Sequence, residues 1–424
     1  MVARSGNGWV LLGLLFVSAA CASSGGFGSG DAEDTADPPG LEYRLYVANE
    51  SSDIVSRVVF VPAKGARVER EIRVGIMPAD TDAPHGLAVS PSGEHWYVTL
   101  AHGTPDGWLW KFQTGSDRLV SRIPLGRFPA SLGTTPDGQF VLVVNFNLHG
   151  DRVPSDLSVV YVPEMTEVTR VVSCVMPHGS RTNASGTRHY HVCMHSDQLV
   201  ELDLGSFSIS NRFLLRPGEE GLLDPDDQGD REDHHLAGRT DHLHDHDDED
   251  EEAELHAMGV AGQAEICSPT WVAAGQGERA NRFVYVACNA RNQVIEIDVD
   301  AWSVTRRFDT GEAPYNLESS PDGRRLVVSL RGNQAIAVFD LDSGQELAEL
   351  ETTRPITHGV VISPDSRYAF VSNESIGAVR GTMDVFDLER LERVASIELQ
   401  HQPTGIDLWR VDPAGGGPPV EGGK

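Results

Sequence analysis

Residues 314–341 read PYNLESSPDGRRLVVSLRGNQAIAVFDL, and this stretch decides the fold. Its apolar runs, Leu326-Val327-Val328 and Ala335-Ile336-Ala337-Val338-Phe339, are separated by Pro321-Asp322-Gly323 and Arg331-Gly332-Asn333. Short β-branched and aromatic runs bounded by such residues are strands joined by turns. Helical spacing of apolar residues is absent, so the unit is strand, turn, strand, turn, strand.

The unit recurs. Ser90-Pro91-Ser92-Gly93, Thr135-Pro136-Asp137-Gly138, Asn183-Ala184-Ser185-Gly186, Ser320-Pro321-Asp322-Gly323 and Ser363-Pro364-Asp365-Ser366 align on one turn. Behind each comes a β-rich run: WYVTL, FVLVVN, HYHVCM, LVVSL and YAFVSN. A third strand then ends on Asp203, Asp298, Asp340 or Asp387, a residue suited to start the next turn through its side chain. A period of about forty residues marks a repeat architecture. Units begin near Pro84, Pro129, Pro177, Pro269, Pro314 and Pro355, which number blades one to six.

The two ends complete the count. Gln402–Trp409 is a first strand with nothing behind it, and Leu45–Asn49 is a second strand with nothing before it. Pairing them makes a seventh blade and removes the open sheet edges that invite aggregation. The expected fold is an all-β, seven-bladed β-propeller over residues 43–411, closed by its N- and C-terminal strands.

Tyr46-Val47-Ala48-Asn49, Tyr97-Val98-Thr99-Leu100 and Tyr285-Val286-Ala287-Cys288 resemble the YVTN-repeat propellers of bacterial envelopes and archaeal surface layers. The resemblance covers residues 43–411 apart from one insertion. It implies a fold more than a function, because related propellers serve as binding scaffolds, lactonases and haem or copper oxidoreductase domains.

Before the propeller, Met1–Arg4 precedes an apolar run from Trp9 to Ala20 that ends in small residues, the form of an export signal. Ser18-Ala19-Ala20-Cys21 resembles a lipobox, which makes Cys21 the expected lipidation site, with 22–42 as a flexible linker. The chain is therefore expected to be exported and lipid-anchored, in the periplasm or at the cell surface, touching a membrane only through that anchor. Residues 412–424 read as a disordered tail, and the protein as a monomer.

The net charge of −29 argues against nucleic-acid partners, which need clustered Lys and Arg. Much of that charge lies in 216–262, an insertion in a loop of blade three, where His242, His244 and His246 interleave with carboxylates. Such a tract reads either as a solvated acidic loop or as a weak ligand set for Zn²⁺, Cu²⁺ or Ni²⁺.

In a propeller the blade entries approach the central channel. The aligned entry residues are His85, Ala130, His178, Thr270, Tyr315, His358 and Thr404. Glycine follows each of the three histidines and is expected to let a ligand or ion approach. His85, His178 and His358 thus read either as ligands of one axial Cu or Zn or as partners of neighbouring backbone. Tyr315, Asn316, Thr270 and Thr404 line the same channel and are candidates for contacting an organic ligand.

In blade three, His189, His191, Cys193 and His195 alternate along one strand and are expected to share a face. Blade four carries Val284, Val286, Cys288 and Ala290 at those positions, so the histidines read as metal ligands or as satisfied interblade groups. Cys174, Cys193, Cys267 and Cys288 gather in adjacent blades. Two disulfides of undetermined connectivity suit an oxidising compartment, and a thiolate metal site is the alternative.

No P-loop, GxSxG or CxxCH motif occurs. Asn49-Glu50, Asn145, Asn289 and Asn373-Glu374 are expected to serve turns. Three functions remain: a binding scaffold for a protein, glycan or metal partner; a metal-dependent (Cu or Zn) oxidoreductase or metal-handling protein; and a lactonase-like hydrolase. No cofactor is certain from the sequence.

Overall fold

The computed structural model describes residues 40–76, 81–102, 106–226 and 266–414. Within them, strands β1 to β29 are numbered in chain order and form seven antiparallel sheets. The inner strands are β4 (Pro84–Val89), β8 (Pro129–Thr134), β12 (Pro177–Thr182), β17 (Pro269–Ala274), β21 (Pro314–Ser319), β25 (Ile356–Ile362) and β29 (Pro403–Pro413). Each packs against the next round the ring, and β29 returns to β4. The protein is a seven-bladed β-propeller.

Closure occurs as the two half-units require. The first strand, β1 (Leu41–Asn49), pairs antiparallel with β29, with Tyr43 opposite Val411 and Val47 opposite Ile406. Every blade also has a fourth, outer strand that the three-strand unit lacks, such as β24 (Glu346–Glu351, ELAELE). One face of β24 carries charge and the other packs only partly, so it offers little apolar signal.

The turn chemistry is as expected. Asp203 accepts from the backbone of Gly205 and Ser206, Asp298 from Asp300 and Ala301, and Asp387 from Glu389 and Arg390. Between blades, apolar faces interdigitate: Tyr285, Phe308, Leu326 and Phe339 share one cluster across blades four and five. Burying side chains of this size contributes about 1.5–3 kcal/mol each.

Blade three has a fifth strand, β16 (Gly221–Leu223), on the outer strand β15 (Ser208–Leu214). The start of the acidic insertion is therefore part of the sheet and follows the blade's outer edge. Glu220 pairs with Arg307 of blade four there. His242, His244, His246 and Cys21 lie outside the described residues.

Both disulfides form, Cys174 with Cys193 and Cys267 with Cys288, closing sequence separations of 19 and 21 residues. Each ties the segment ahead of a blade's entry proline to the end of that same blade's second strand. Of the asparagines at second-strand ends, Asn289 opens a 3-10 turn, while Asn49 and Asn145 serve the blade interior instead. Asn49 donates to the Val47 and Ile54 carbonyls and to Ser56, and Asn145 donates to Asp156 and Ser158, all inside the blades.

Candidate functional site

All seven entry residues, His85, Ala130, His178, Thr270, Tyr315, His358 and Thr404, are buried at one end of the channel. The glycines beside the histidines do not open space for a ligand. A Cβ on Gly86 would collide with the Ala130 carbonyl, and one on Gly179 with the Trp271 ring. Their role is to let neighbouring inner strands approach closely.

The position at the end of each blade's second strand adds a further ring: Glu50, Ala101, Phe146, Met194, Asn289, Arg331 and Glu374. Glu50 and Glu374, expected to serve turns, are instead buried among the histidines. Nδ1 of His85 lies 2.7 Å from Oε2 of Glu50. Burial would raise the Glu50 pKa, but the charge and hydrogen bond of His85, with His102 and Arg331 behind them, hold it below the ordinary carboxylate value.

Opposite it, Glu374 Oε1 is 3.7 Å from His358 Nε2 and 3.8 Å from Arg331. The Arg331 guanidinium sits 4.5 Å over the Tyr315 ring, a cation–π contact that fixes its plane. His178 donates from Nδ1 to the Thr270 carbonyl at 2.7 Å, which leaves Nε2 as acceptor for the Tyr315 hydroxyl at 3.3 Å. Burial drives the His178 pKa down to about 3. His358 is likewise pushed well below the usual value, by burial first and then by the cations of His85 and Arg331. The mouth therefore holds the hydrogen-bonded His85–Glu50 pair, the Arg331–Glu374 pair and two neutral imidazoles.

Three residues further along the inner strands lies a second polar level that the sequence reading did not single out. Arg181 grips Glu318 through Nε and Nη2 at 3.0 and 2.8 Å. Asp407, buried nearby, is pushed up to about 6 by loss of solvent, although the Val89 and Leu408 amides donate to it. Between the levels is a cavity of about 40 Å³ lined by His85, Ser131, Arg181, Trp271, Asn316 and His358.

The three channel histidines share a level without closing into one ligand set. His85 and His358 meet with ring centroids 5.4 Å apart, whereas Tyr315 stands between His178 and His358, at 5.6 and 4.9 Å. Among the described residues, the one His/Cys/Asp/Glu trio with ligand atoms mutually within 4.8 Å is Cys174, His191 and Cys193. Its two sulfurs are bonded to each other, so neither is a thiolate.

In blade three the strand holding His189 and His191 ends at Cys193, and His195 lies beyond it, exposed, rather than on the shared face. His189 hydrogen-bonds Thr182 at 3.0 Å and His191 hydrogen-bonds Ser173 at 2.6 Å. Burial keeps both neutral, His189 at about 3 and His191 well below its usual value. They are hydrogen-bonded core residues between blades two and three.

Fold and site together define a seven-bladed propeller with a polar channel mouth. No family model matches the chain, and no curated protein does, so the YVTN motifs stand as a resemblance. Solved structures do match in fold. A functionally unknown protein from Desulfotomaculum acetoxidans aligns with TM-score 0.58 and 14% identity, over 86% of this chain and 98% of its own. A candidate 6-phosphogluconolactonase from Bacteroides uniformis aligns with TM-score 0.58 and 14% identity, over 87% and 99%. A second, from Bacteroides fragilis, gives 0.58 and 15%, over 89% and 99%. At these identities the likeness is one of fold.

Proposed function

We propose that the protein is a hydrolase of cyclic esters, opening a lactone at the channel mouth. The observation that carries this reading is the pair of buried ion pairs, His85–Glu50 and Arg331–Glu374, on either side of the neutral His358. Buried ion pairs seldom stabilise a fold relative to apolar packing, and perturbed titrating groups concentrate at functional sites. Ester hydrolysis needs a base for water and a cation for the charge that develops on the carbonyl oxygen. His358 suits the first role, and Arg331 and His85 the second, with Glu374 and Glu50 orienting them. The fold likeness to two candidate lactonases supports the same class. The site's chemistry fits a neutral or anionic lactone and requires no cofactor in these roles.

The test is acid release from a panel of γ- and δ-lactones, phosphorylated and not, followed by pH-stat. The expected result is turnover by the wild type that falls at least 100-fold in His358→Gln and in Arg331→Met. Wild-type rates equal to buffer across the panel overturn the reading. Export and a lipid anchor at Cys21 belong to the same proposal, and the two disulfides support an oxidising compartment.

A second reading, a binding scaffold, is favoured by a different observation. Ile76, Val153, Ile376 and Val379 are exposed on loops at the mouth end of the ring. Exposed apolar groups on one face mark interaction surfaces. Ile376→Ser with Val379→Ser leaves lactone turnover unchanged under the first reading and lowers affinity for an envelope partner under the second.

A further inference from the structure

The cavity beneath the histidines has the wrong size for a substrate and the right size for water. A buried water needs about 10–15 Å³ of such volume, so about 40 Å³ holds roughly three waters and excludes a sugar ring. A lactone must therefore sit above His85 and His358, toward the open mouth.

The cavity wall is also hydrogen-bonded incompletely. Trp271 Nε1, an obligatory donor, and Asn316 Oδ1, an acceptor, are buried without a hydrogen-bond partner. Trp271 is 7% exposed and Asn316 is 3% exposed, and both line the cavity. Leaving a buried polar group unsatisfied costs about 1–3 kcal/mol each. One donor and one acceptor on the same small wall are complementary to a molecule that both accepts and donates. Neither side chain is required by the inner-strand pattern, which is satisfied elsewhere in the ring by Gly86, Gly179 and Gly359.

We propose that this cavity is a built site for resident water, and that its water is the nucleophile delivered to the substrate from below. The second half rests on the lactone-hydrolase reading. Trp271 donates to the water oxygen and Asn316 accepts one of its protons, leaving a lone pair directed at the mouth. Water oxygen bonds to the acyl carbon as the ring C–O bond breaks. The proton released from water passes to the neutral imidazole of His358 and on to the departing ring oxygen, giving a hydroxy acid. Trp271 and Asn316 are then positioning residues for the nucleophile.

The test joins a structural and a kinetic measurement on the full chain. A high-resolution crystal structure is expected to show water within hydrogen-bond distance of Trp271 Nε1 and Asn316 Oδ1, and to lose it in Trp271→Phe, which keeps an aromatic ring. With the most active lactone, Trp271→Phe and Asn316→Leu are expected to lower kcat tenfold or more with KM unchanged. They should also raise the share of methyl ester formed in dilute methanol, because water no longer has a reserved place. Thermal unfolding midpoints close to the wild type establish that each variant is folded. A dry cavity overturns the water site whatever the activity. Ordered water in a wild type that hydrolyses no lactone overturns the nucleophile role together with the function it rests on. Ordered water with an unchanged kcat in folded Trp271→Phe overturns the nucleophile role alone.

Discussion

Nδ1 of His85 and Oε2 of Glu50 meet at 2.7 Å across the boundary between blades one and seven, joining the first complete blade to the one that closes the ring. Because the folded-state pKa of Glu50 is depressed, the pair stabilises the fold above the unfolded value of about 4.5. That stability is lost as pH falls through the lower folded value. Glu50→Gln is therefore expected to destabilise by about 1–3 kcal/mol at pH 7. Wild type and variant should converge as the pH is taken well below 4.5. Urea midpoints measured between pH 3 and 7 decide the matter, and a constant difference between the two proteins would show that the carboxylate charge is irrelevant.

The buried neutral histidines act in the same direction but from a higher pH, a loss of stability on acidification that begins closer to neutrality. His178 and His189 have folded pKa values near 3 against about 6.5 unfolded, so between those limits the unfolded chain binds more protons. Each such group steepens the fall in stability below pH 6.5 by about 1.4 kcal/mol per pH unit. Blade four packs Val284 and Val286 where blade three has His189 and His191. The double variant His189→Val, His191→Val is expected to flatten the pH dependence between 6.5 and 4. An unaltered slope would mean that these imidazoles are protonated in the fold.

The disulfides are expected to be structural. Peptide mapping without reduction should recover Cys174 linked to Cys193 and Cys267 linked to Cys288, and any cross-pair contradicts the structure. Closed loops near 20 residues predict that removing either bond, as Cys174→Ser with Cys193→Ser or Cys267→Ser with Cys288→Ser, costs about 2–4 kcal/mol. Because the two separations are nearly equal, the two costs should be similar. A cost below about 0.5 kcal/mol would mean that the unfolded chain is already held by other contacts.

The ring was legible because it is written in turn chemistry and in alternation, which act locally and repeat. Ser320-Pro321-Asp322-Gly323 and its four copies locate the inner hairpins of five blades, and the half-units at 45–49 and 402–409 announce closure. The outer strands were not legible: β24 packs one partly buried face and shows solvent a row of glutamates, a weak pattern even for an edge strand. At the site, the entry alignment placed His85, His178, His358 and Tyr315 correctly at one level. It missed Glu50, Arg331 and Glu374 because their position, the end of the second strand, looks like a turn until the blades are set round a channel. Aligning that position across blades as well would have revealed it, since two acids and an arginine stand where other blades carry Ala101, Phe146 and Met194. Arg181, Glu318 and Asp407 were hidden for a related reason, because only the closed ring shows that one register position faces a shared interior.

The seam between blades seven and one gives the last prediction, since one buried carboxylate joins them there. Asp117 of blade one accepts from the Tyr46 hydroxyl at 2.8 Å and from Arg57 at 2.7 Å, both on blade seven. Its side chain is fully shielded from solvent. Trp409 of β29 adds an indole donation to the Gly93 carbonyl at 2.9 Å. Asp117→Ala removes the acceptor of the Tyr46 hydroxyl and one carboxylate of Arg57, which keeps Glu69 and the Gly115 carbonyl, and is expected to cost about 1–3 kcal/mol. Tyr46→Phe removes one hydrogen bond and should cost about 1 kcal/mol. The exposed pair Arg170–Glu167 on the outer strand of blade two is the contrast, and Arg170→Ala there should change stability by less than about 1 kcal/mol. A double-mutant cycle of Tyr46→Phe with Asp117→Ala should show strong coupling, because the tyrosine's partner is gone in the second variant. Equal costs for Asp117→Ala and Arg170→Ala would show that this seam is held by apolar packing and strand pairing alone, with the buried Asp117 contributing nothing beyond them.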